Sequence, residues 1–190
     1  LALTNISLDM LGRANSLLSY AGRVEGKGRS EDDLAFRRSE REYYNSLIVE
    51  QANGDYARTI VRLYLVVLFD YHLYQELMNS KDETIAGIAA KSLKEITYHL
   101  RHAASWVERF GGGTEESHQR AQTALDELWR FTGDMFDESQ GDKDLTKAGI
   151  GADMNNVKAV WEKDADTFLK KAGLKKPENV FMQTGSRQAK

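Results

Sequence analysis

The chain contains no cysteine among its 190 residues. This absence excludes a disulfide scaffold, an iron–sulfur cluster, a thiolate zinc site and a cysteine nucleophile. It fits a reducing setting, so we expect a cytoplasmic protein. Proline is also scarce, because one proline stands against 15 glycines. That balance favours long, uninterrupted helices.

Long apolar runs and a strong net charge are missing as well. The longest apolar run covers residues 63–69, far short of the roughly 20 residues of a membrane span. The formal net charge is −3 and the isoelectric point is about 5.9, so no overall basic field would attract nucleic acid. We therefore expect a globular protein that has neither a membrane nor a nucleic acid as its partner.

Charge is nevertheless unevenly distributed along the chain. Residues 114–166 carry 13 acidic and 6 basic side chains, whereas residues 170–190 carry 6 basic and 1 acidic. An acidic stretch of this kind is typical of solvated helix surfaces. We interpret residues 1–190 as a single domain, in which residues 174–190 form a flexible basic tail.

Apolar residues at spacings of three and four predict a series of helices. A capping-box pattern at residues 39–42 adds a short helix ending near Glu50, and residues 139–152 are expected to form a loop. No strand-like alternation competes, so the predicted fold class is all-α, an antiparallel bundle. The long helices are predicted at residues 3–22, 56–79, 83–110, 115–138 and 154–172.

A bundle of long helices raises the possibility of a di-iron site, which needs Glu from two helices and Glu-x-x-His from two others. Glu115 and His118 have this spacing, but they lie in a helix's first turn, where Glu is expected for dipole reasons. Glu95, His99 and His102 share one helix face and could form a mononuclear metal site. Alternatively, Glu95 pairs with His99 one turn on, and His102 lies near the surface.

Several blocks of the sequence, taken together and in order, resemble a known family. The blocks are residues 8–14, 34–36, 49–55, 94–101 and 128–132. The similarity runs in order as far as about Phe136 and is looser beyond it. Together the blocks resemble the C subunits of ring-1,2-phenylacetyl-CoA epoxidases, which are ferritin-like phenylacetic acid catabolic proteins.

The resemblance implies a ferritin-like fold within a multicomponent oxygenase of phenylacetate breakdown. In that family the catalytic A subunit carries the di-iron site, and epoxidation uses O2 and NADPH electrons delivered by a separate reductase. The C subunit pairs with it as a structural partner. The resemblance thus implies a hetero-oligomer with a homologous di-iron subunit, and no catalytic, cofactor or metal residue in this chain. Because family members continue on both sides, we expect the chain to lack terminal helices.

The same resemblance implies that the metal-ligand positions are degenerate. In the first ligand motif the metal-binding Glu corresponds to Met10 and the His corresponds to Arg13. Val67 stands where the third helix would supply a carboxylate. In the second motif Ile96 replaces the ligand Glu, and only His99 survives.

Two questions stay open on the sequence alone. Arg13 is either a fixed cation where the metal charge would have been, or a peripheral partner of Asp9 one turn earlier. The function also has two rivals: an active di-iron or mononuclear oxygenase or oxidase of the same fold, and a helical adaptor unrelated to phenylacetate.

Overall fold

The computed structural model describes residues 1–39 and 42–185. Every regular element in these two ranges is helical, which confirms the predicted all-α, ferritin-like class. Two short 3-10 turns, Trp129–Phe131 and Gly133–Phe136, follow the fifth α-helix. The α-helices are α1 (Ala2–Glu25), α2 (Glu31–Phe36), α3 (Tyr56–Leu77), α4 (Glu83–Gly111), α5 (Glu115–Leu128), α6 (Gln140–Ala148) and α7 (Met154–Lys171).

The central helix is α3, which has ten buried residues. It begins at Asp55, whose carboxylate accepts a hydrogen bond from the backbone N–H of Arg58, and a short turn joins it to the antiparallel α4. On another side α7 packs against it, where the Trp161 indole N–H donates to the Leu65 carbonyl at 3.1 Å. The prediction that an all-round apolar helix lies in the middle of the bundle is confirmed.

Two apolar clusters hold the helices together. The main core fills the space between α3, α4, α5 and α7, and Trp161 lies fully buried within it. The small core joins Val67 and Tyr74 of α3 to Ala89 and Ile96 of α4, with α1 packing against it from outside. The small core is the part of the fold that positions the candidate site.

The predicted end of α5 at residue 138 is wrong, because the α-helix ends at Leu128. The chain then tightens into the two 3-10 turns, where the Thr132 hydroxyl donates to the Trp129 carbonyl at 2.9 Å. Asp134 is buried in the second turn, and its carboxylate accepts the backbone N–H of Leu47 at 2.8 Å. Tertiary hydrogen bonds of this kind leave no periodic signal in the sequence.

The predicted helix ending near Glu50 is also wrong in the part of it that the structure describes. Residues 43–50 contain no helix, and the Glu42 carboxylate accepts the Ser39 backbone N–H at 2.7 Å. Half of the predicted capping box thus forms, while residues 40–41 lie outside the described residues. The backbone N–H of Leu47 donates to the Asp134 carboxylate, and Ile48 is fully buried, so tertiary contacts rather than a helix fix this segment.

Two short helices were not predicted at their observed places. Both start with a complete capping box, Ser30 with Asp33 in α2 and Ser139 with Asp142 in α6. Neither helix buries a residue, so α6 gives no apolar stripe that would distinguish it from the expected loop. Across the described ranges, none of the helices combines the length and apolar character needed to cross a membrane.

The segment after α7 lies along α5 without forming a helix. Leu174 is buried, and Lys175 exchanges two backbone hydrogen bonds with the Gln122 side chain. Further on, the Gln183 backbone N–H donates to the Arg130 carbonyl at 2.8 Å. The single domain and the flexible tail at residues 174–190 stay predictions, and residues 186–190 lie outside the described residues.

Candidate functional site

Three helices bring the degenerate ligand positions together in the small core. Val67 of α3 and Ile96 of α4 are fully buried in it, and Met10 of α1 packs against it. Apolar side chains therefore fill the place where the resemblance puts metal-binding carboxylates. Val67 and Ile96 have no lone pair to offer a metal, and the soft Met10 thioether is no substitute for the hard carboxylate oxygens of a di-iron site.

A layer of charged and polar side chains lies beside these apolar positions. Arg13, Asp70 and His99 come three positions after Met10, Val67 and Ile96, respectively. This spacing keeps the two residues of each pair on the same helix face. Asp9, one turn before Arg13, completes the set. We call Asp9, Arg13, Asp70 and His99 the polar layer.

Arg13 forms an ion pair with Asp70 that joins α1 to α3. The distance from Nη2 to Oδ2 is 2.8 Å, and the two side chains are only 11% and 16% exposed. The guanidinium also lies 5.0 Å from the centre of the Tyr74 ring, within reach of a cation–π contact. The interpretation of Arg13 as a peripheral partner of Asp9 is therefore wrong, and Arg13 is a fixed, largely buried cation.

Burial governs the electrostatics of this pair. It raises the pKa of Asp70 above its usual range, although the Arg13 charge and hydrogen bond and the His99 ring oppose that rise. Burial also raises the pKa of Tyr74 to about 12, again against the influence of Arg13. The ion pair thus offsets only part of the desolvation of the Asp70 carboxylate.

His99 forms the second cross-link of the polar layer, between α4 and α1. Its Nε2 lies 2.8 Å from Oδ2 of Asp9, and since a carboxylate accepts, Nε2 carries the hydrogen. The His99 ring is 1% exposed, and its Nδ1 has no hydrogen-bond partner in the described part of the chain. The interpretation that Glu95 binds His99 is wrong, because Asp9 takes that place.

The other candidate ligands do not join this layer. Glu95 lines a groove between α1 and α4 together with Asp9, and His102 is half-buried with its Nε2 unpartnered by any described residue. His118 lies in the first turn of α5, where its Nδ1 is 2.9 Å from the Gly111 carbonyl oxygen. Glu95 and His102 therefore do not join His99 in one cluster.

The residues of the polar layer do not fit a di-iron centre. Such a centre needs four carboxylates and two imidazoles around two cations, but here Asp70 already binds a guanidinium and His99 binds Asp9. Within residues 1–39 and 42–185, no group of three or more His, Asp or Glu side chains could hold a metal ion. A permanent cation, Arg13, would also repel an incoming metal.

Sequence reasoning did not identify Asp70 as part of the site. A signal existed, because Asp70 follows directly on the apolar run 63–69 in a helix without a clear polar face. A carboxylate in such surroundings needs a charged or hydrogen-bonding partner from another element. Which element supplies that partner is decided only by tertiary packing, which brings Arg13 of α1 beside Asp70.

Comparison with known proteins agrees with this geometry. The sequence pattern of the family described as phenylacetic acid catabolic protein matches residues 1–190. The C subunit of 1,2-phenylacetyl-CoA epoxidase from Escherichia coli (strain K12) is 43% identical over 188 residues, covering 99% of this chain and 75% of that protein. The chain therefore belongs to the phenylacetic acid catabolic protein family.

Proposed function

We propose that this chain is a non-catalytic structural subunit of a multicomponent oxygenase that epoxidises the ring of phenylacetyl-CoA. The observation that carries the proposal is the polar layer, in which Arg13 and Asp70 form an ion pair beside the apolar Met10, Val67 and Ile96. The 43% identical relative is the C subunit of such an epoxidase. Both observations support a subunit whose fold is kept while its metal chemistry is lost.

A subunit of this fold can lose its iron because the polar layer joins the helices that metal ligands would otherwise join. In a ferritin-like bundle, ligands from several helices converge on the metal and so join those helices. Here two charge-assisted hydrogen bonds join α1 to α3 and α4. The bundle keeps a rigid helical surface on which a homologous subunit can dock, and the di-iron cofactor belongs to that partner. We place the complex in the cytoplasm.

The test is to co-express this chain with a homologous di-iron subunit from the same organism. We expect the two to co-purify and, with the reductase, to turn over phenylacetyl-CoA, while this polypeptide with the reductase alone does not. Turnover by this polypeptide alone would instead support the active oxygenase. Failure to associate with any di-iron subunit would support the unrelated helical adaptor.

A further inference from the structure

The loop that leads into α3 contains Asn53 followed directly by Gly54, the one Asn-Gly pair in the sequence. Both residues are exposed. Gly54 has a φ of 63°, a left-handed conformation that favours glycine. In such a pair the glycine backbone nitrogen can attack the side-chain amide of the asparagine, because glycine has no Cβ to hinder the close approach. The loop therefore presents an amide group that is open to attack by its own backbone.

Two contacts with α3 hold Asn53 in this loop. The Arg62 guanidinium donates from Nη2 to Oδ1 of Asn53, and the Thr59 hydroxyl donates to the Asn53 backbone carbonyl at 3.0 Å. Attack by the Gly54 nitrogen would build up negative charge on Oδ1. The guanidinium thus places a positive charge at the oxygen that needs it, as a hydrogen-bond donor in an oxyanion hole does.

Arg62 itself lacks a partner of opposite charge among the described residues. Its Nη1 donates to the Gln51 carbonyl and its Nη2 to the Asn53 amide, and both acceptors are neutral. The guanidinium is half-buried, and burial lowers the pKa of Arg62, with a smaller contribution from the Arg58 charge. A carboxylate at position 53 would supply the missing counter-charge in a charge-assisted hydrogen bond.

We propose that Asn53 is a site of spontaneous deamidation and that the carboxylate it produces forms an ion pair with Arg62. The Gly54 nitrogen forms a bond to the side-chain amide carbon of Asn53 and closes a succinimide ring. The bond from that carbon to the side-chain nitrogen breaks, and ammonia leaves with the proton of the Gly54 N–H. Water then adds to either ring carbonyl, opens the ring and restores the N–H, which gives aspartate or isoaspartate without any oxidant or reductant.

The ion pair decides what the modification does to the protein. The Arg62 contact already joins the loop to α3 through a neutral acceptor. In the aspartate product one carboxylate oxygen takes the place of Oδ1, so the same contact becomes charge-assisted and stronger. Deamidation at this position would therefore fasten the loop to α3 rather than loosen it.

Peptide mass spectrometry of the purified protein, incubated at mildly alkaline pH, tests the site. Asn45 is the internal control, because it is also exposed outside the helices but precedes Ser46. We expect Asn53 to convert at least about tenfold faster than Asn45, and Arg62→Gln to slow the conversion of Asn53 by about tenfold. Conversion of Asn53 no faster than that of Asn45 would overturn the site, and an unchanged rate in Arg62→Gln would overturn the role of the guanidinium.

Urea denaturation of Asn53→Asp, which carries the aspartate product from the start, tests the ion pair. We expect a higher urea midpoint than for the wild type, and no such gain when Asn53→Asp is combined with Arg62→Gln. The gain should also shrink at high salt, a measurement that needs no change at Arg62. A midpoint lowered by Asn53→Asp, or a gain that is equal in both backgrounds, would overturn the ion pair. Neither experiment involves the di-iron subunit, so both are independent of the proposed function.

Discussion

Helix α3 contacts α7 on one flank and α1 on the other, and the two contacts rest on different interactions. On one flank α7 packs through Val157, Trp161, Ala165 and Leu169, all buried. On the other flank α1 has only Ile6 and Gly22 buried, and it reaches α3 through the Arg13–Asp70 ion pair. The same helix is thus held by apolar packing on one side and by paired charges on the other. The charged side is also the side where the ligand positions lie.

The difference has an energetic reason. Burial of apolar surface on the α7 flank contributes about 25 cal/mol per Å² and needs no partner of opposite charge. On the α1 flank the buried charges must first be desolvated, and their attraction offsets that cost only when both partners are present. The α7 flank therefore supplies stability, while the α1 flank supplies a defined geometry of α1 that depends on pairing.

The largest expected effect lies on the α7 flank. Trp161→Ala removes the largest fully buried side chain and its hydrogen bond to Leu65. We expect a loss of about 3–5 kcal/mol in the free energy of unfolding, measured by urea denaturation. Trp161→Phe, which keeps much of the volume, serves as the control and should lose less. A loss below about 1 kcal/mol for the alanine variant would contradict the contrast between the flanks.

On the α1 flank, breaking the ion pair should be costly. Arg13→Met leaves Asp70 without its cation in a largely buried position. Because removing one partner of a buried pair typically costs 3–5 kcal/mol, and this pair keeps some exposure, we expect a loss of about 3 kcal/mol. The measurement is again urea denaturation, and an unchanged midpoint would mean that the pair is solvated.

A double variant that removes both charges of the ion pair tests whether the pair contributes net stability. Arg13→Met with Asp70→Leu replaces both charges by apolar side chains of similar size. Since such replacements are often neutral or stabilising, we expect an unfolding free energy within about 1 kcal/mol of the wild type. A double variant as unstable as Arg13→Met would show that the polar layer contributes net stability, and it would contradict the assignment of stability to the α7 flank.

A smaller effect is expected at the second cross-link. His99→Gln keeps an N–H donor that can bind Asp9, so the loss should be about 1 kcal/mol. Assembly with the di-iron subunit and turnover of phenylacetyl-CoA should remain almost intact, as steady-state kinetics can measure. A fall in turnover of about a hundredfold with assembly unchanged would instead place His99 in the chemistry.

The smallest effect is a pH dependence of the polar layer. Because burial raises the pKa of folded Asp70, the folded state binds its proton more readily than the unfolded state. This contribution to stability is complete below the ordinary aspartate pKa and is lost as the pH rises through the folded pKa. The stability advantage of the wild type over Asp70→Asn should therefore shrink between pH 4 and pH 7 in urea titrations. An advantage that grows over this range would contradict the raised pKa.

The sequence predicts the long helices better than the contacts between them. The helices predicted at residues 56–79 and 83–110 lie within two residues of the observed α3 and α4, because their apolar stripes and the caps Asp55 and Asp82 are local signals. The end of α5 was missed, because the hydrogen bonds of Asp134 come from residues 46–47, far away in the chain.

In the candidate site, too, local features can be predicted from the sequence and contacts between distant residues cannot. The apolar residues at the ligand positions could be identified from the resemblance, since that needs only the order of residues. The pairs within the polar layer could not, because Arg13 and Asp70 are 57 residues apart and Asp9 and His99 are 90 apart. Arg13 and His99 each also had a plausible partner one turn away, and only the packing of α1 decides between the alternatives.

The central claim is that this chain keeps the ferritin-like fold with a polar layer in place of iron. The most direct test is the iron content of the complex after the Glu-x-x-His ligands of the di-iron subunit have been replaced. Elemental analysis after reconstitution with ferrous iron and removal of the excess should find well under one iron per copy of this chain. Two irons per copy, retained in the absence of the partner's ligands, would contradict the claim.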